Sequence, residues 1–388
     1  MDFELTAEQQ AIRDSIFKLC EKYDDAYWLE HDRSGEFPED FVKDIADGGW
    51  LGIAMPSEYG GSGLGVTEAA IMMQAVAESG AGQSGASAIH MNIFGPNPIV
   101  VFGSEEQKKR MLPPLIAGKE RACFGVTEPN SGLNTSALQT RAEWNGNQYM
   151  VNGRKLWTST AQTANKILMI VRTGDPDAGG KPADGLSLFY TDFDRDYIEV
   201  QEIEKMGRKC VDSNAVFIDD LPVPPEDLIG DEGKGFKYLL HGLNPERVLI
   251  AAEAVGLGRV ALKRAVEYAK EREVFGRPIG QNQGIQHPLA KCWMDLEAAN
   301  LMMLKAAALY DAGKPCGAEA NTAKYLASEA GYRACEQAIL THGGMGYAKE
   351  YQVERYFREI MIARIAPVSR EMILSFVAEQ VLGQPKSY

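Results

Sequence analysis

Apolar residues at both ends of the chain recur every three to four positions, whereas those in the middle alternate or run together. Between residue 1 and about residue 120, Ile12, Ile16, Leu19 and Cys20 form a helical stripe, and Thr6-x-x-Gln9 before it has the form of a capping box. Phe37-Pro38-Glu39 opens a further predicted helix that ends near Gly48-Gly49, and Thr67–Ser79 and Glu105–Leu115 read as two more. The stretch Met55–Gly65, MPSEYGGSGLG, interrupts them as a loop, either a linker or a turn that backs a ligand. From residue 121 to about 229, Lys166–Thr173, Leu186–Phe193, Ile198–Ile203 and Ala215–Asp219 have strand composition, Asp175–Asp184 is a Pro/Gly/Asp loop, and Val223-Pro224-Pro225 marks the exit. From Gly230 the helical period returns in Val248–Glu273, where Ile250, Ala254, Leu257, Ala261, Ala265 and Tyr268 share a face, then in His287–Tyr310, Ala318–Leu340 and Glu350–Gln380, the last interrupted at Pro367. The expectation is an α+β chain of three parts: a helical domain over 1–120, an antiparallel β domain over 121–229 and a helical bundle over 230–388. No alternating βαβ pattern supports a Rossmann fold, and His342-Gly343-Gly344-Met345-Gly346 is not its glycine fingerprint.

The most informative stretch is Cys123–Ser159. An apolar run, Cys123–Val126, leads into a polar loop, Thr127–Gly132, and the Asn145-Gly146 and Asn152-Gly153 pairs predict two tight hairpins in a meander of short strands. The net charge of −14 argues against nucleic acid and anionic membrane as general partners, and a phosphate-rich substrate would need local Arg or Lys. Six scattered cysteines without a CxxC pair read as reduced thiols. No apolar run reaches the ~18 residues of a membrane helix, and the acidic MDFELTAEQQ start lacks a signal-peptide pattern, so a cytoplasmic protein is expected. Thr341–Tyr347 reads as a tight interhelical turn or as a place where backbone amides approach a phosphate; Arg272 as a solvated helix-end charge or a diphosphate partner; Gln283 as a surface residue.

Seven pieces, in order, resemble the acyl-CoA dehydrogenase family over nearly the whole chain: Val126–Pro129, Trp157–Ser159, Phe217-x-Asp219 with Val223-Pro224, Glu271-Arg272 with Phe275-Gly276, Gln283, Gly343-Gly344-x-Gly346, and Glu350-Tyr351-x-Val353-Glu354. The resemblance implies the fold just described, an FAD cofactor, an acyl-CoA substrate, electron-transferring flavoprotein as acceptor, and a homo-oligomer, usually a tetramer. It also implies that Phe124, Val126, Thr127, Trp157 and Ser159 surround the isoalloxazine, with Thr127 and Ser159 as hydrogen-bonding groups. Arg272, Phe275 and Gln283, beside Gly343 and Gly344, would hold the diphosphate and adenosine end, with Arg272, Phe275 and the glycine loop supplied by a second subunit. The implied chemistry removes the α proton of a thioester while a hydride leaves Cβ, which needs a polarised carbonyl and a carboxylate in a dry pocket.

Two departures stand out. The family's commonest base, a glutamate in a Tyr-Glu-Gly-Thr loop, falls on Pro367 of Ala366-Pro367-Val368-Ser369, and proline also lacks the N–H that polarises the thioester there; Ser369 stays among the flavin neighbours. Isovaleryl-type and long-chain members carry their glutamate before a helical arginine, which makes Glu246 the candidate base and Arg247 an ordering group. The competing reading of Asn244-Pro245-Glu246 is a helix start, with Asn244 as cap and Pro245 in the first position. Glu371 and Glu253 are lesser candidates, and Leu133 and Leu340 stand where the family often has serine and glutamine. The rivals to a dehydrogenase are an oxygen-using relative, either an acyl-CoA oxidase or a flavin monooxygenase, and a silent acyl-CoA-binding flavoprotein.

Overall fold

The computed structural model describes residues 4–175 and 181–387; residues 176–180 of the loop expected over Asp175–Asp184 lie outside the described residues, as do residues 1–3 and 388. The first part holds helices α1 (Ala7–Cys20), α2 (Asp25–Ser34), α3 (Glu39–Asp47), α4 (Val66–Val76), α5 (Gly82–Phe94), α6 (Asn97–Phe102) and α7 (Glu105–Ile116). The second holds strands β1 (Ala122–Gly125), β2 (Arg141–Trp144), β3 (Tyr149–Ser159), β4 (Lys166–Arg172), β5 (Leu186–Asp192), β6 (Ile198–Glu202) and β7 (Ser213–Val223). The third holds α8 (Gly235–Glu271), a short β8 (Glu273–Val274) and β9 (Arg277–Pro278) hairpin, α9 (Gln283–Asp311), α10 (Gly317–His342), α11 (Val353–Ile365) and α12 (Arg370–Phe376). The predicted capping box is present: Thr6 Oγ1 accepts the Gln9 amide at 3.2 Å, and Gln9 Oε1 accepts the Thr6 amide at 3.1 Å.

The sheet runs β1-β4-β2-β3-β7-β6, with β5 on the other edge of β4. It is antiparallel except where β4 meets β1 and, at one residue pair, β2; there the strands run parallel. The Asn145-Gly146 hairpin forms, with Gly146 at φ 102° and Asn145 Oδ1 accepting the amides of Asn147 and Gln148. The Asn152-Gly153 hairpin does not form. Those residues lie inside β3 at a bulge against β7, where the Asn152 side chain pairs with both the amide and the carboxylate of Asp220. A Cβ on Gly153 would fall 2.5 Å from Thr140 Oγ1, so the glycine there serves close packing and not a turn.

The core of the helical parts is the crossing of α4, α8, α9 and α10, lined by small residues. Ala251, Ala254 and Ala261 on α8 face Ala327, Ala330 and Ala334 on α10, and all are buried. Gly331 lies at the closest approach, where an added Cβ would meet the Ala254 carbonyl at 2.6 Å. Gly331→Val is therefore expected to lower stability by about 1–3 kcal/mol or more, since backbone cannot yield as a side-chain tip can. Thermal denaturation of the variant checks this, and an unchanged Tm would refute it.

Candidate active site

α8 starts thirteen residues before the predicted Val248, so Asn244-Pro245-Glu246 is not a helix start. Pro245 sits inside the helix and is buried, and tertiary packing has overridden the local capping signal. Glu246 consequently projects into the interior instead of serving a helix dipole. Burial pushes its carboxyl up to about 7, with His90, Arg247 and Lys324 pulling it back and Glu253 adding to the rise. Its Oε2 has no partner among the described residues. Arg247 donates to Asn244 Oδ1 at 3.0 Å, which fixes the guanidinium beside the carboxylate.

Two cations near Glu246 escaped the sequence reading. Lys324 on α10 is fully buried, its Nζ donates to the Val368 carbonyl at 2.6 Å, and desolvation together with the Arg247 charge lowers it to about 8. It thereby ties the loop around Pro367 to the helix bundle. Its signal was present: it is a lone charge in the buried stripe Ala320, Ala323 and Ala327. His90 on α5 bonds from Nδ1 to Glu253 Oε1 at 2.6 Å; burial opposes its positive charge, and the Glu253 carboxylate outweighs burial and raises its pKa. Glu371 is removed as a candidate base: it is exposed, and its partner Arg370, bonded at 2.6 Å, holds it below the usual carboxylate range. Ser369 caps α12, its hydroxyl accepting the Met372 amide at 3.3 Å.

The strand-side candidates come together at one end of the sheet. Phe124 lies in β1, and its ring is 5.7 Å from that of Phe94 on α5. Thr127 accepts the Leu156 amide through its carbonyl at 2.8 Å, which ties the polar loop to β3 beside Trp157. That loop is built on a buried ion pair, Lys155 Nζ to Glu128 Oε1 at 2.8 Å, with Lys155 also donating to the Val126 carbonyl at 3.4 Å. The Glu128 carboxylate further accepts the amides of Gln139 and Thr140. Burial would raise Glu128, but Lys155 and these donors hold it below its ordinary value. At the end of β3 a bulge leaves Trp157 at φ 61° and 54% exposed, while Thr158 is buried, its Oγ1 without a partner among the described residues, and Ser159 pairs with Ser213.

The remaining candidates form a separate group. Arg272 ends α8, Phe275 is 101% exposed at φ 53°, and Gln283 opens α9. Tyr268 stacks on His342 at 4.3 Å, which brings this end of α8 to Gly343 and Gly344. An added Cβ on either glycine would meet nothing within 4 Å. Arg272 follows Glu246 by 26 residues, roughly 39 Å of helix rise, so a single protomer does not bring Arg272 to Glu246. The half-exposed Trp157 indole and the orphaned hydroxyl of Thr158 at the end of β3, and the open glycine turn with the exposed Phe275 ring and Arg272, fit the two ends of a flavin dinucleotide.

Three family models match the chain: acyl-CoA dehydrogenase N-terminal domain over residues 6–119, middle domain over 123–221 and C-terminal domain over 233–382. Acyl-CoA dehydrogenase fadE12 of Mycobacterium bovis is 39% identical, over 98% of this chain and 97% of its own. The caffeyl-CoA reductase-Etf complex subunit CarC of Acetobacterium woodii is 34% identical over 87% of this chain and 88% of its own. Butyryl-CoA dehydrogenase from Megasphaera elsdenii superposes with a TM-score of 0.93 at 31% identity, covering 98% of this chain and 100% of that one. Among the described residues no helix is long and apolar enough to cross a membrane. With the same three parts in the same order, the chain belongs to the acyl-CoA dehydrogenase family, oxidoreductases acting on the CH–CH bond of acyl-CoA.

Proposed function

We propose that this chain is an FAD-dependent acyl-CoA dehydrogenase in which Glu246 removes the α proton. The observation that carries the reading is the unpartnered, buried Glu246 carboxylate, poised at about 7 where an efficient base must lie. Phe124, Val126, Thr127, Trp157, Ser159 and Ser369 would hold the flavin ring. Arg272, Phe275, Gly343 and Gly344 of a second copy, with Gln283, would hold the dinucleotide, as the resemblance implies and as the spacing of Arg272 from Glu246 along α8 supports. This assembly makes a homo-oligomer, a tetramer by the resemblance, a requirement of the site. FAD so held supplies the hydride acceptor. Arg247 keeps the Glu246 carboxylate in place, and Lys324 fixes the Pro367 loop and adds positive charge near developing enolate. Electron-transferring flavoprotein as the partner rests on the resemblance and on the relative that is itself part of an Etf complex.

Anaerobic mixing of the holoprotein with short, branched, medium and ring-bearing acyl-CoAs tests the reading: flavin bleaching by one class is expected. Ligand-induced spectral shifts without bleaching by any of them would overturn it. Peroxide formed in air without an added acceptor would instead assign an oxidase.

A pH dependence follows. The base works only when deprotonated, so the rate of flavin reduction should rise about tenfold per pH unit below about 7 and level off above it. His90, Glu253, Arg247 and Lys324 face the carboxylate, and Lys324 loses its charge near 8, which perturbs the plateau. Stopped-flow reduction between pH 5.5 and 9 checks this; a flat profile would exclude Glu246 as a titrating base.

A further inference from the structure

Glu253 follows Glu246 by seven residues on α8, which puts both carboxylates on one face of the helix, roughly 10 Å apart in rise. Glu253 is fully buried and His90 nearly so. Their 2.6 Å bond uses one atom of each, and leaves His90 Nε2 and Glu253 Oε2 without a partner among the described residues. Gln83, seven residues before His90 and on the same face of α5, is fully buried, with both side-chain amide atoms lacking a partner among the described residues. Arg208, from the loop after β6, reaches the same helix and donates to Ser87 Oγ at 2.9 Å. An apolar wall leads up to this polar end: Phe124, then Phe94 at 5.7 Å, then the His90 ring 4.8 Å from Phe94.

Buried donors and acceptors without partners are uncommon in folded proteins and mark a place that a ligand or water completes. With a proton on Nε2, the pair offers one donor, His90 Nε2–H, and one acceptor, Glu253 Oε2. A hydroxyl group matches both at once, and a methyl group matches neither. Resting on the reading of Glu246 as the base, we infer that the acyl group runs along α8 from Glu246 to the His90–Glu253 pair and carries a hydroxyl at its far end. That hydroxyl donates to Glu253 Oε2 and accepts from His90 Nε2. The substrate class is thus a hydroxylated acyl-CoA, not a plain hydrocarbon chain.

The test compares matched acyl-CoAs over a series of chain lengths, each ending in a methyl or a hydroxyl, by rapid flavin reduction in the holoenzyme. At one length the hydroxylated member should win by about 10²-fold or more in kcat/KM, because a site built for a hydroxyl strongly rejects an analogue without it. Glu253→Gln should shrink that ratio about tenfold, and the paired change His90→Phe with Glu253→Leu should reverse it. The ratio is read within each variant, so a general loss of folding or flavin does not produce the effect. If methyl-ended chains are preferred at every length and no variant moves the ratio, the inference falls while the dehydrogenase reading stands. If neither series bleaches the flavin, the dehydrogenase reading falls and takes the inference with it.

Discussion

Replacing Glu246 by glutamine is expected to slow flavin reduction by the best acyl-CoA by about 10²–10⁴-fold, with ligand binding and flavin content retained. Glutamine keeps the volume and a hydrogen-bonding end but cannot accept the α proton as a carboxylate does. The size of the effect follows from the surroundings. A carboxylate buried on α8 with one oxygen unpartnered is held near 7 because water is excluded and the cations His90, Arg247 and Lys324 stop the rise from going further. Neither of the other two candidates is as well placed. Glu371 is exposed and paired with Arg370, and one Glu253 oxygen is engaged by His90. Glu246→Asp should recover part of the rate, because the charge remains and only the reach is shortened. A glutamine variant that kept most of its turnover would leave Glu253 as the remaining buried carboxylate on that face and would end the assignment.

The helix–strand–helix order was legible because each part keeps its own hydrophobic period over many residues. Glu246 was proposed as the base on the resemblance, while local capping rules argued for a helix start there. Those rules failed at Pro245 for a physical reason: α8 is 37 residues long and packed along its length, so contacts with other helices stabilise a proline that an isolated helix would reject. The Asn152-Gly153 pair misled in a similar way, since a glycine required by Thr140 packing looks the same in sequence as one required by a turn. Lys324 left a faint sign, a lone charge among the alanines of its helix face, and His90 left none, because the importance of both comes from partners far along the chain, Val368 and Glu253, which only the packing of α5, α8 and α10 brings near. The residues proposed for the dinucleotide were readable as motifs. Their separation from Glu246 was not, because it depends on α8 continuing unbroken to Glu271.

Arg355→Met is expected to destabilise the fold by about 3–5 kcal/mol, the usual result of removing one member of a buried ion pair. Arg355 on α11 and its partner Glu359 are both fully buried, bonded at 3.0 Å. The guanidinium also donates to Gln352 Oε1 at 2.8 Å and to the Gly80 carbonyl at 2.6 Å. Glu359 in turn accepts the Ser84 hydroxyl at 2.6 Å and the Ser84 amide at 3.2 Å. These bonds grip the join of α4 and α5, where Gly80 at φ 110° and Gly82 at φ 66° bend the chain. A Cβ on Gly82 would fall 2.5 Å from Glu359 Oε2, so the carboxylate fills the inside of that bend. α5 carries His90 and Phe94 toward α8, and its direction is set at this bend. Losing Arg355 therefore leaves Glu359 buried without its counter-charge and also releases the helix that closes the site. Replacing both members, Arg355→Met with Glu359→Leu, should recover much of the stability, because no charge is then left unpaired. The flavin-reduction rate should recover less than the Tm does, since the bonds that aimed α5 are still missing. Denaturation and stopped-flow measurements on the two variants separate these effects; equal recovery of both would show that the network adds stability without positioning the site.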